Sequence, residues 1–191
     1  MPINVEDDRI QMQISSTEHM FIFKVDLPCV NHRYEIFVEY VNKLYDLYCT
    51  YSEKGTTIFI GDFNASIIRG NLLSRDRYFA YFMSNCNMCP INLLNCCLGA
   101  TDTSVSYDDS CMSTIDYIVM PVEIIDQITY CEVADDNCLN ISRHRPILCC
   151  LGVKFDNANA FDSYVFKRVK VVRHIEMPKA APKSPFVIFK N

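Results

Sequence analysis

An acid and an amide two residues apart, next to a predicted strand, are the side chains best suited to chemistry. Residues 56–60 are β-branched or aromatic and predict a buried strand. Gly61 follows this strand, Asp62 comes directly after the glycine, and Asn64 stands two residues later. If the strand continues, residues two apart point to one face, and both side chains project beyond its carboxyl end. A carboxylate beside a carboxamide suits polarising a water or binding a phosphate oxygen next to a divalent metal. The alternative is an Asp-turn that only closes the strand.

A second carboxylate and a histidine are further candidates for the same chemistry. Asp116 lies in the strand-like residues 113–120, where a carboxylate is costly to bury without a partner. His144 precedes the last apolar run, and an imidazole oriented by a carboxylate is a common device for acid–base chemistry. If these groups converge with the first pair, they suit Mg²⁺-dependent hydrolysis of a phosphodiester. Two alternatives stay open: an ordinary surface or core role for His144, and pairing of Asp116 with Arg143 or Arg145.

The cysteines suggest a metal site of another kind. Cys86-x-x-Cys89 followed by Cys96-Cys97 suggests zinc, although the second spacing differs from that of a zinc ribbon and no histidine lies nearby. The alternative is that these cysteines are small buried apolar side chains. Since the sequence shows no secretory signal, its eleven cysteines are expected to be reduced thiols.

Apolar periodicity predicts the elements that must position these residues. The clearest helix covers residues 33–51, in which Tyr34, Phe37, Val41 and Tyr45 belong to a stripe with i, i+3, i+4 and i+7 spacing. The predicted strands are residues 9–14, 20–25, 56–60, 113–120, 124–133 and 147–153. Another helix is predicted between residues 71 and 89, a short extended piece at 91–94, and a loop or hairpin at 101–113.

Composition and charge indicate one folded domain with a tail. Half of the 191 residues are hydrophobic, which excludes disorder overall, and no run is long enough to span a membrane. We expect a domain over residues 1–155 and a basic, proline-containing tail over 156–191. From residue 161 onward there are seven Lys or Arg and two acids, a net charge of +5. Because the whole chain has a net charge of −5, residues 1–160 carry a net charge of −10. A domain with this net negative charge is poorly suited to non-specific DNA binding. The tail either helps to bind nucleic acid or is simply solvated.

The order of the motifs resembles that of the endonuclease/exonuclease/phosphatase superfamily. Gly61-Asp62-Phe63-Asn64 comes first, Ile115-Asp116-Tyr117 second and Ser142-Arg143-His144 third. The chain is most similar to the apurinic-like endonuclease domain of non-LTR (LINE-type) retrotransposons, over residues 9–153. The resemblance implies a DNase I-like α/β fold, a four-layer sandwich of two mixed β-sheets flanked by helices. We expect this sandwich to be incomplete at the N-terminus, with an exposed hydrophobic flank.

The resemblance also implies an activity, the Mg²⁺-dependent cleavage of a phosphodiester in DNA. Asp62 would activate or position the attacking water, and Asn64 would orient Asp62 and the phosphate. His144 would stabilise charge on the phosphoryl oxygens, with Asp116 holding its imidazole. LINE-type ancestry further implies an intracellular protein acting on nuclear DNA, and no signal peptide or transmembrane run speaks against this. The substrate-binding residues expected on this basis are Asn64, Ser142 and Arg145.

Departures from the family pattern affect the metal site. Arg143 stands where the family has a metal-binding aspartate, and Asp26 stands where a tyrosine usually touches the phosphate. The family's opening motifs, which supply an asparagine and a metal-binding glutamate, are not found before residue 9. No intact metal site is therefore expected, and the loss of one charge-stabilising group commonly costs about 10²–10³ in rate. Two functions stay open: an impaired DNA endonuclease, or an inactive remnant that at most binds nucleic acid or a protein partner.

Overall fold

The computed structural model of the chain describes residues 9–13, 18–134 and 142–152. In chain order, their strands are β1 (Arg9–Gln13), β2 (His19–Asp26), β3 (Thr56–Asp62), β4 (Met88–Pro90), β5 (Leu98–Gly99), β6 (Ser104–Val105), β7 (Met112–Ser113), β8 (Asp116–Pro121), β9 (Ile128–Val133) and β10 (Ile147–Leu151). The α-helices of these residues are α1 (Tyr34–Ser52) and α2 (Ser74–Asn85).

Two mixed β-sheets form the centre of the fold. The larger has the order β1-β2-β3-β8-β4, in which β2 and β3 are parallel and the other pairs are antiparallel. The smaller has the order β10-β9-β5, with β9 antiparallel to β10 and parallel to β5. β6 and β7 form a separate hairpin, as predicted for this polar region. The expected fold class, with two mixed sheets flanked by helices, is confirmed, and the described residues supply three of its layers.

The larger sheet lies between the other two layers. Side chains alternate between the two faces of a strand, so each strand of this sheet contributes to two cores. Phe21 and Phe23 of β2 pack with α1 and α2, whereas Met20 of the same strand packs toward the smaller sheet. The helix-side core also contains Phe37, Val41, Phe59, Phe79, Phe82 and Tyr117. The core between the sheets contains Ile58, Ile60, Ile91, Ile118, Met120 and Cys131.

The predicted long helix is confirmed as α1. It connects the parallel strands β2 and β3, a connection that requires a crossover segment. Phe37, Val41 and Leu44 are buried, as the apolar stripe predicts. Tyr34 and Tyr45 also belong to the predicted stripe, but they are 39% and 44% exposed. Tyrosine tolerates this position because its hydroxyl end can stay in water while the ring packs.

Parts of two segments predicted as extended, residues 91–94 and 124–133, belong to 3-10 helices. These are Ile91–Leu93 and Val122–Gln127, so that the strand predicted from residue 124 begins only at Ile128. Each 3-10 helix directly follows a strand that ends at a proline, Pro90 or Pro121. Because proline has no N–H to donate, the ladder of hydrogen bonds stops there and the chain turns.

Gly61 allows β2 and β3 to approach closely next to the candidate site. Its φ is +137°, and a Cβ at this position would lie 2.0 Å from the carbonyl oxygen of Val25 in β2. Only glycine fits such a backbone. The close approach keeps Asp26 and Asp62, the last residues of the two strands, in register.

Burial is incomplete in the smaller sheet. Ile147–Leu151 is half-buried along its whole length, and Leu98 of β5 is 57% exposed. The expected incompleteness at the N-terminus, with an exposed hydrophobic flank, stays a prediction.

Some sequence predictions lie outside the described residues. These are the continuation of the first and last strands to residues 14 and 153, the domain boundary at 155 and the basic tail of 156–191. Within the part of the chain that the structure describes, no α-helix is both long enough and apolar enough to cross a bilayer.

Candidate active site

Three aspartates lie side by side on neighbouring strands of the larger sheet. Asp26 pairs in register with Asp62 across β2 and β3, and Asp62 pairs with Asp116 across β3 and β8. β2 and β3 end at this row, and β8 begins there. Asp26 is exposed, Asp62 is half-buried and Asp116 is buried. The carboxyl ends of strands in α/β sheets are where ligands commonly bind.

A cleft of about 550 Å³ opens at this row. Asp26, Asp62, Asn64 and His144 line it, so three of the four predicted catalytic residues face one space. Asp116, the fourth, lies behind His144 and contacts its ring. The remaining lining comes from Ile115, from Leu27, Pro28, Cys29 and His32 between β2 and α1, and from Ile36 and Tyr40 of α1.

Asp116 and His144 form a carboxylate–imidazole pair. Nδ1 of His144 lies 2.9 Å from Oδ2 and 3.1 Å from Oδ1 of Asp116. This hydrogen bond raises the pKa of the imidazole, while burial opposes the rise. The acid that the sequence places in a strand is thus the first residue of β8, and its partner is His144. The alternative partners are placed elsewhere, with Arg143 beside Asp109 and Arg145 beside Asp102.

Asp62 and Asn64 meet through a turn. The strand ends at Asp62, and Asn64 has a φ of +48°, so the strand does not continue through Asn64. The backbone N–H of Asn64 donates to Oδ1 of Asp62 at 2.9 Å, which closes an Asp-turn. Asparagine tolerates the left-handed backbone that this turn needs. The Asp-turn and the candidate site therefore coexist, because the turn itself brings both side chains into the cleft.

The Asn64 side chain joins the two loops beside the cleft. Its Nδ2 donates to the carbonyl oxygen of Leu27 at 2.8 Å, which ties the end of β3 to the end of β2. Because one hydrogen of the amide is used in this way, the group acts as a brace between the loops, and its Oδ1 remains an acceptor.

Two buried charged residues that the sequence analysis missed hold the loop after Asn64. Asp76 is fully buried in the first turn of α2 and accepts from the backbone N–H groups of Ser66 and Leu73, both at 2.8 Å. Arg75 is also buried, and its Nη1 donates to the carbonyl oxygens of Pro28 at 3.0 Å and Asn64 at 3.4 Å. An acid at the third position of a helix that follows a polar loop is the signal that suggests such a role.

Burial and a neighbouring carboxylate change the acidity of Asp62. Burial raises its pKa to about 6, and the charges of Asp116 and, more weakly, Asp26 act in the same direction. The hydrogen bond from the Asn64 N–H and the nearby His144 oppose this rise. Asp62 is therefore a stronger base than an ordinary aspartate and is still mainly ionised at pH 7.

Asp62, Asp116 and His144 form a potential metal-binding group. One ligand atom from each residue lies within 4.8 Å of the others, and no second such group of His, Cys, Asp or Glu is found among the described residues. Two carboxylates fit Mg²⁺, which usually binds one or two of them together with water and phosphate. One of the two also holds His144, so the donor set is smaller than that of a dedicated site.

Arg143 points away from the cleft. Its guanidinium contacts the carboxylate of Asp109, donates to the carbonyl oxygen of Tyr107 at 3.0 Å, and lies 5.4 Å from the centre of the Tyr107 ring. These partners lie between β6 and β7. The expected aspartate is absent, but the arginine that replaces it binds the hairpin instead of lining the space between Asp62 and His144.

The two remaining predicted substrate-binding residues lie beside the cleft without lining it. Oγ of Ser142 accepts the backbone N–H of His144 at 3.0 Å and so shapes the turn that carries this histidine. Arg145 is largely buried, with Nη1 3.0 Å from Oδ2 of Asp102. The structure therefore does not bring Arg145 to the place where a substrate would contact the other residues.

The cysteines of the proposed zinc motif are separated. Cys86 packs in the helix-side core, where burial raises the pKa of its thiol to about 12. Cys97 belongs to the core between the sheets, and its Sγ lies 3.0 Å from Sγ of Cys131. The buried thiol of Cys86 behaves as a small apolar side chain, which favours the alternative to zinc.

Comparison with solved structures identifies proteins of the same fold. The endonuclease domain of TRAS1, a telomere-specific non-LTR retrotransposon, matches with a TM-score of 0.59 and 13% identity over 76% of this chain and 61% of that one. An AP endonuclease from Archaeoglobus fulgidus matches with a TM-score of 0.56 and 13% identity over 70% of this chain and 62% of that one. An endonuclease/exonuclease/phosphatase family protein from Leptotrichia buccalis C-1013-b matches with a TM-score of 0.55 and 16% identity over 75% of this chain and 51% of that one.

These likenesses show that the chain has the endonuclease/exonuclease/phosphatase fold, and the predicted resemblance is confirmed at this level. The chain spans between about half and three fifths of the length of these structures. No protein-family model and no curated protein matches the sequence.

Proposed function

We propose that the cleft is the active site of a metal-dependent phosphodiester hydrolase of the retroelement DNA endonuclease type, with reduced activity. The observation that carries the proposal is the position of the Asp116–His144 pair, whose ligand atoms lie within 4.8 Å of a carboxylate oxygen of Asp62. A base, an imidazole and the carboxylate that orients it thus lie at one edge of the sheet, which is the set that phosphodiester hydrolysis needs.

Asp62 is the base in this proposal. With a pKa of about 6 it accepts a proton from water more readily than an ordinary aspartate, and it is ionised at neutral pH. The Asn64 N–H fixes one of its oxygens, and Asn64 is itself fixed through Leu27. The carboxylate is therefore held in place before substrate arrives, which lowers the entropic cost of reaching the reactive geometry.

His144 is the group that stabilises negative charge. Asp116 binds Nδ1 and its hydrogen bond raises the pKa of the ring, so that the protonated form persists to a higher pH than in an ordinary histidine. Because Nδ1 is bound to Asp116, Nε2 is the ring nitrogen that would donate a hydrogen bond to a phosphoryl oxygen in the cleft. A donor that is oriented before the reaction stabilises the developing charge without reorganising.

A divalent cation would be held by the carboxylate oxygens of Asp62 and Asp116. It would neutralise charge on the phosphate and polarise the attacking water. Neither carboxylate is dedicated to the cation, because Asp116 also holds His144 and Asp62 also serves as the base. We expect weak binding of Mg²⁺ and a correspondingly reduced rate.

DNA is the proposed substrate. This assignment is supported by the motif order and by the fold relatives, among which are a retrotransposon endonuclease domain and an AP endonuclease. A second candidate function, an inactive remnant that binds nucleic acid or a protein, is favoured by one observation. The exposed carboxylate of Asp26 lines the cleft and would repel a phosphate.

Nicking of supercoiled plasmid in the presence of Mg²⁺ or Mn²⁺ distinguishes the two functions. The variants are Asp62→Asn and His144→Gln, with Asp46→Asn as a matched control at an exposed position on α1. Nicking by the wild type and the control that is lost in both cleft variants supports the hydrolase. If the folded wild-type chain nicks no faster than the cleft variants with either metal, the remnant is the correct function.

A further inference from the structure

Thr103 is a fully buried polar residue whose side chain binds the start of β8. It lies in the loop between β5 and β6, and none of its surface is exposed. Its Oγ1 accepts the backbone N–H of Ile115 at 3.1 Å and that of Asp116 at 3.0 Å. One hydroxyl thus satisfies two adjacent donors at the point where β8 begins, and a buried donor without an acceptor is strongly unfavourable.

The backbone of Thr103 binds the segment that carries His144. Its carbonyl oxygen accepts the N–H of Arg145, the residue after His144, at 2.7 Å. The following residues continue this contact, because Ser104 forms a bridge with His144 and Val105 donates to the carbonyl oxygen of Arg143 at 3.0 Å.

Asp116 is therefore held by side chains on both sides of its peptide. Thr103 binds its N–H, and Nδ2 of Asn92 donates to its carbonyl oxygen at 3.1 Å. Of Thr103 and Asn92, Thr103 alone has a hydrogen bond, within the described part of the chain, to the segment that carries His144. This bond is the one from the N–H of Arg145.

We propose that Thr103 is a positioning residue that sets the distance between Asp116 and His144. Its side chain holds one member of the pair and its backbone holds the segment of the other, so that one residue links the two parts of the chain that make the contact at 2.9 Å. The proposal rests on the proposed function of the cleft, because the pair matters for catalysis only if His144 acts on a phosphate. The positions of the two side chains can nevertheless be measured without catalysis.

The substitution Thr103→Val removes the acceptor and keeps the shape, whereas Thr103→Ser keeps the acceptor. Thr103→Cys is a milder removal, because sulfur is a weak acceptor, and it serves if the valine variant does not fold. Thr114→Val is the matched control. Thr114 is also buried in this region, but its hydroxyl donates to the carbonyl oxygen of Thr101 and does not bind Asp116.

Two measurements on the full chain test the proposal. The first is the far-downfield proton resonance of the Nδ1–H of His144, assigned by its loss in His144→Gln. The second is plasmid nicking with Mn²⁺. We expect the valine or cysteine variant to lose or shift the resonance while folded and to reduce kcat about 10- to 100-fold, as loss of a supporting hydrogen bond does in metal sites. The serine variant and the Thr114 control should keep both signals.

An unchanged resonance in the folded valine or cysteine variant would overturn the proposal, as would an equal loss in Thr114→Val. If the wild-type chain does not nick DNA, the proposed function fails. The resonance still decides whether Thr103 positions the pair.

Discussion

Asp62 and Asp116 lie directly opposite each other in the antiparallel pairing of β3 and β8. Like charges in such a cross-strand pair destabilise a sheet. His144, which binds Asp116, relieves part of this cost. Burial, together with the charge of Asp116, raises the pKa of Asp62 to about 6, so that proton uptake by Asp62 relieves the rest only at acidic pH. Because the relief depends on protons, the site should leave a signature in the pH dependence of stability and activity.

Asp62→Asn should stabilise the fold at neutral pH and abolish nicking. The folded pKa of about 6 lies above the unfolded value of 3.8, so the ionised carboxylate costs free energy that develops between these two pH values and is fully present above pH 6. Removing the charge should therefore raise the free energy of unfolding at pH 7.5 by roughly 1–2 kcal/mol, after allowance for solvent screening, and have little effect at pH 3.5.

Urea unfolding at both pH values, in metal-free buffer, measures this effect. Asp46→Asn, at an exposed position, should change stability little at either pH. A cleft variant that is less stable than the wild type at pH 7.5 would contradict a raised pKa of Asp62.

His144→Gln should destabilise the fold with the opposite dependence on pH. The pKa of His144 is raised above 6.5 in the folded state, mainly by its hydrogen bond to Asp116. The stabilisation by the charged ring is therefore fully present below pH 6.5 and is lost as the pH rises through the folded pKa. The stability difference between the wild type and the variant should be larger at pH 5.5 than at pH 9. His32→Gln, which changes an exposed histidine, is the control, and a difference independent of pH would show that Asp116 and His144 do not pair.

Arg143→Ala should leave the cleft chemistry unchanged and loosen the hairpin. The guanidinium binds Asp109 and the carbonyl oxygen of Tyr107 and does not line the cleft. We expect Mn²⁺ affinity and any nicking rate to stay within about twofold, and stability to fall by no more than about 1 kcal/mol, as for an exposed ion pair. Hydrogen exchange should increase at the amides of residues 104–113. A large gain in Mn²⁺ affinity would instead mean that this cation suppresses metal binding.

Asp26→Asn should lower the pKa of Asp62 and improve binding of a phosphate. The Asp26 carboxylate lines the cleft, and its charge raises the pKa values of both Asp62 and His144. Because charges in a partly solvated site interact by about 1 kcal/mol, we expect the KM for DNA to fall a few-fold and the acidic limb of the nicking profile to move to lower pH. Carboxyl NMR of Asp62 measures the pKa directly. An unmoved Asp62 titration would show that the two carboxylates do not interact.

Local patterns in the sequence were sufficient for the main elements. The apolar run of β2 and the helical stripe of α1 are properties of short segments, and both elements are found where the sequence predicts them. The period alone did not distinguish a strand from a 3-10 helix after Pro90 and Pro121, because a short apolar run fits either and the missing N–H of proline decides.

The candidate residues were also evident in the sequence, but their arrangement was not. Acid, amide and imidazole can be recognised by type and order, whereas the contact of His144 with Asp116 spans 28 positions and depends on how separate strands pack. The turn of Asn64, the direction of Arg143 and the hydrogen bonds of Thr103 likewise depend on partners distant in the chain. Side-chain types and periodicity are local and can be determined from the sequence. Distances between atoms of different strands result from the burial of both cores together, and only the tertiary structure decided them.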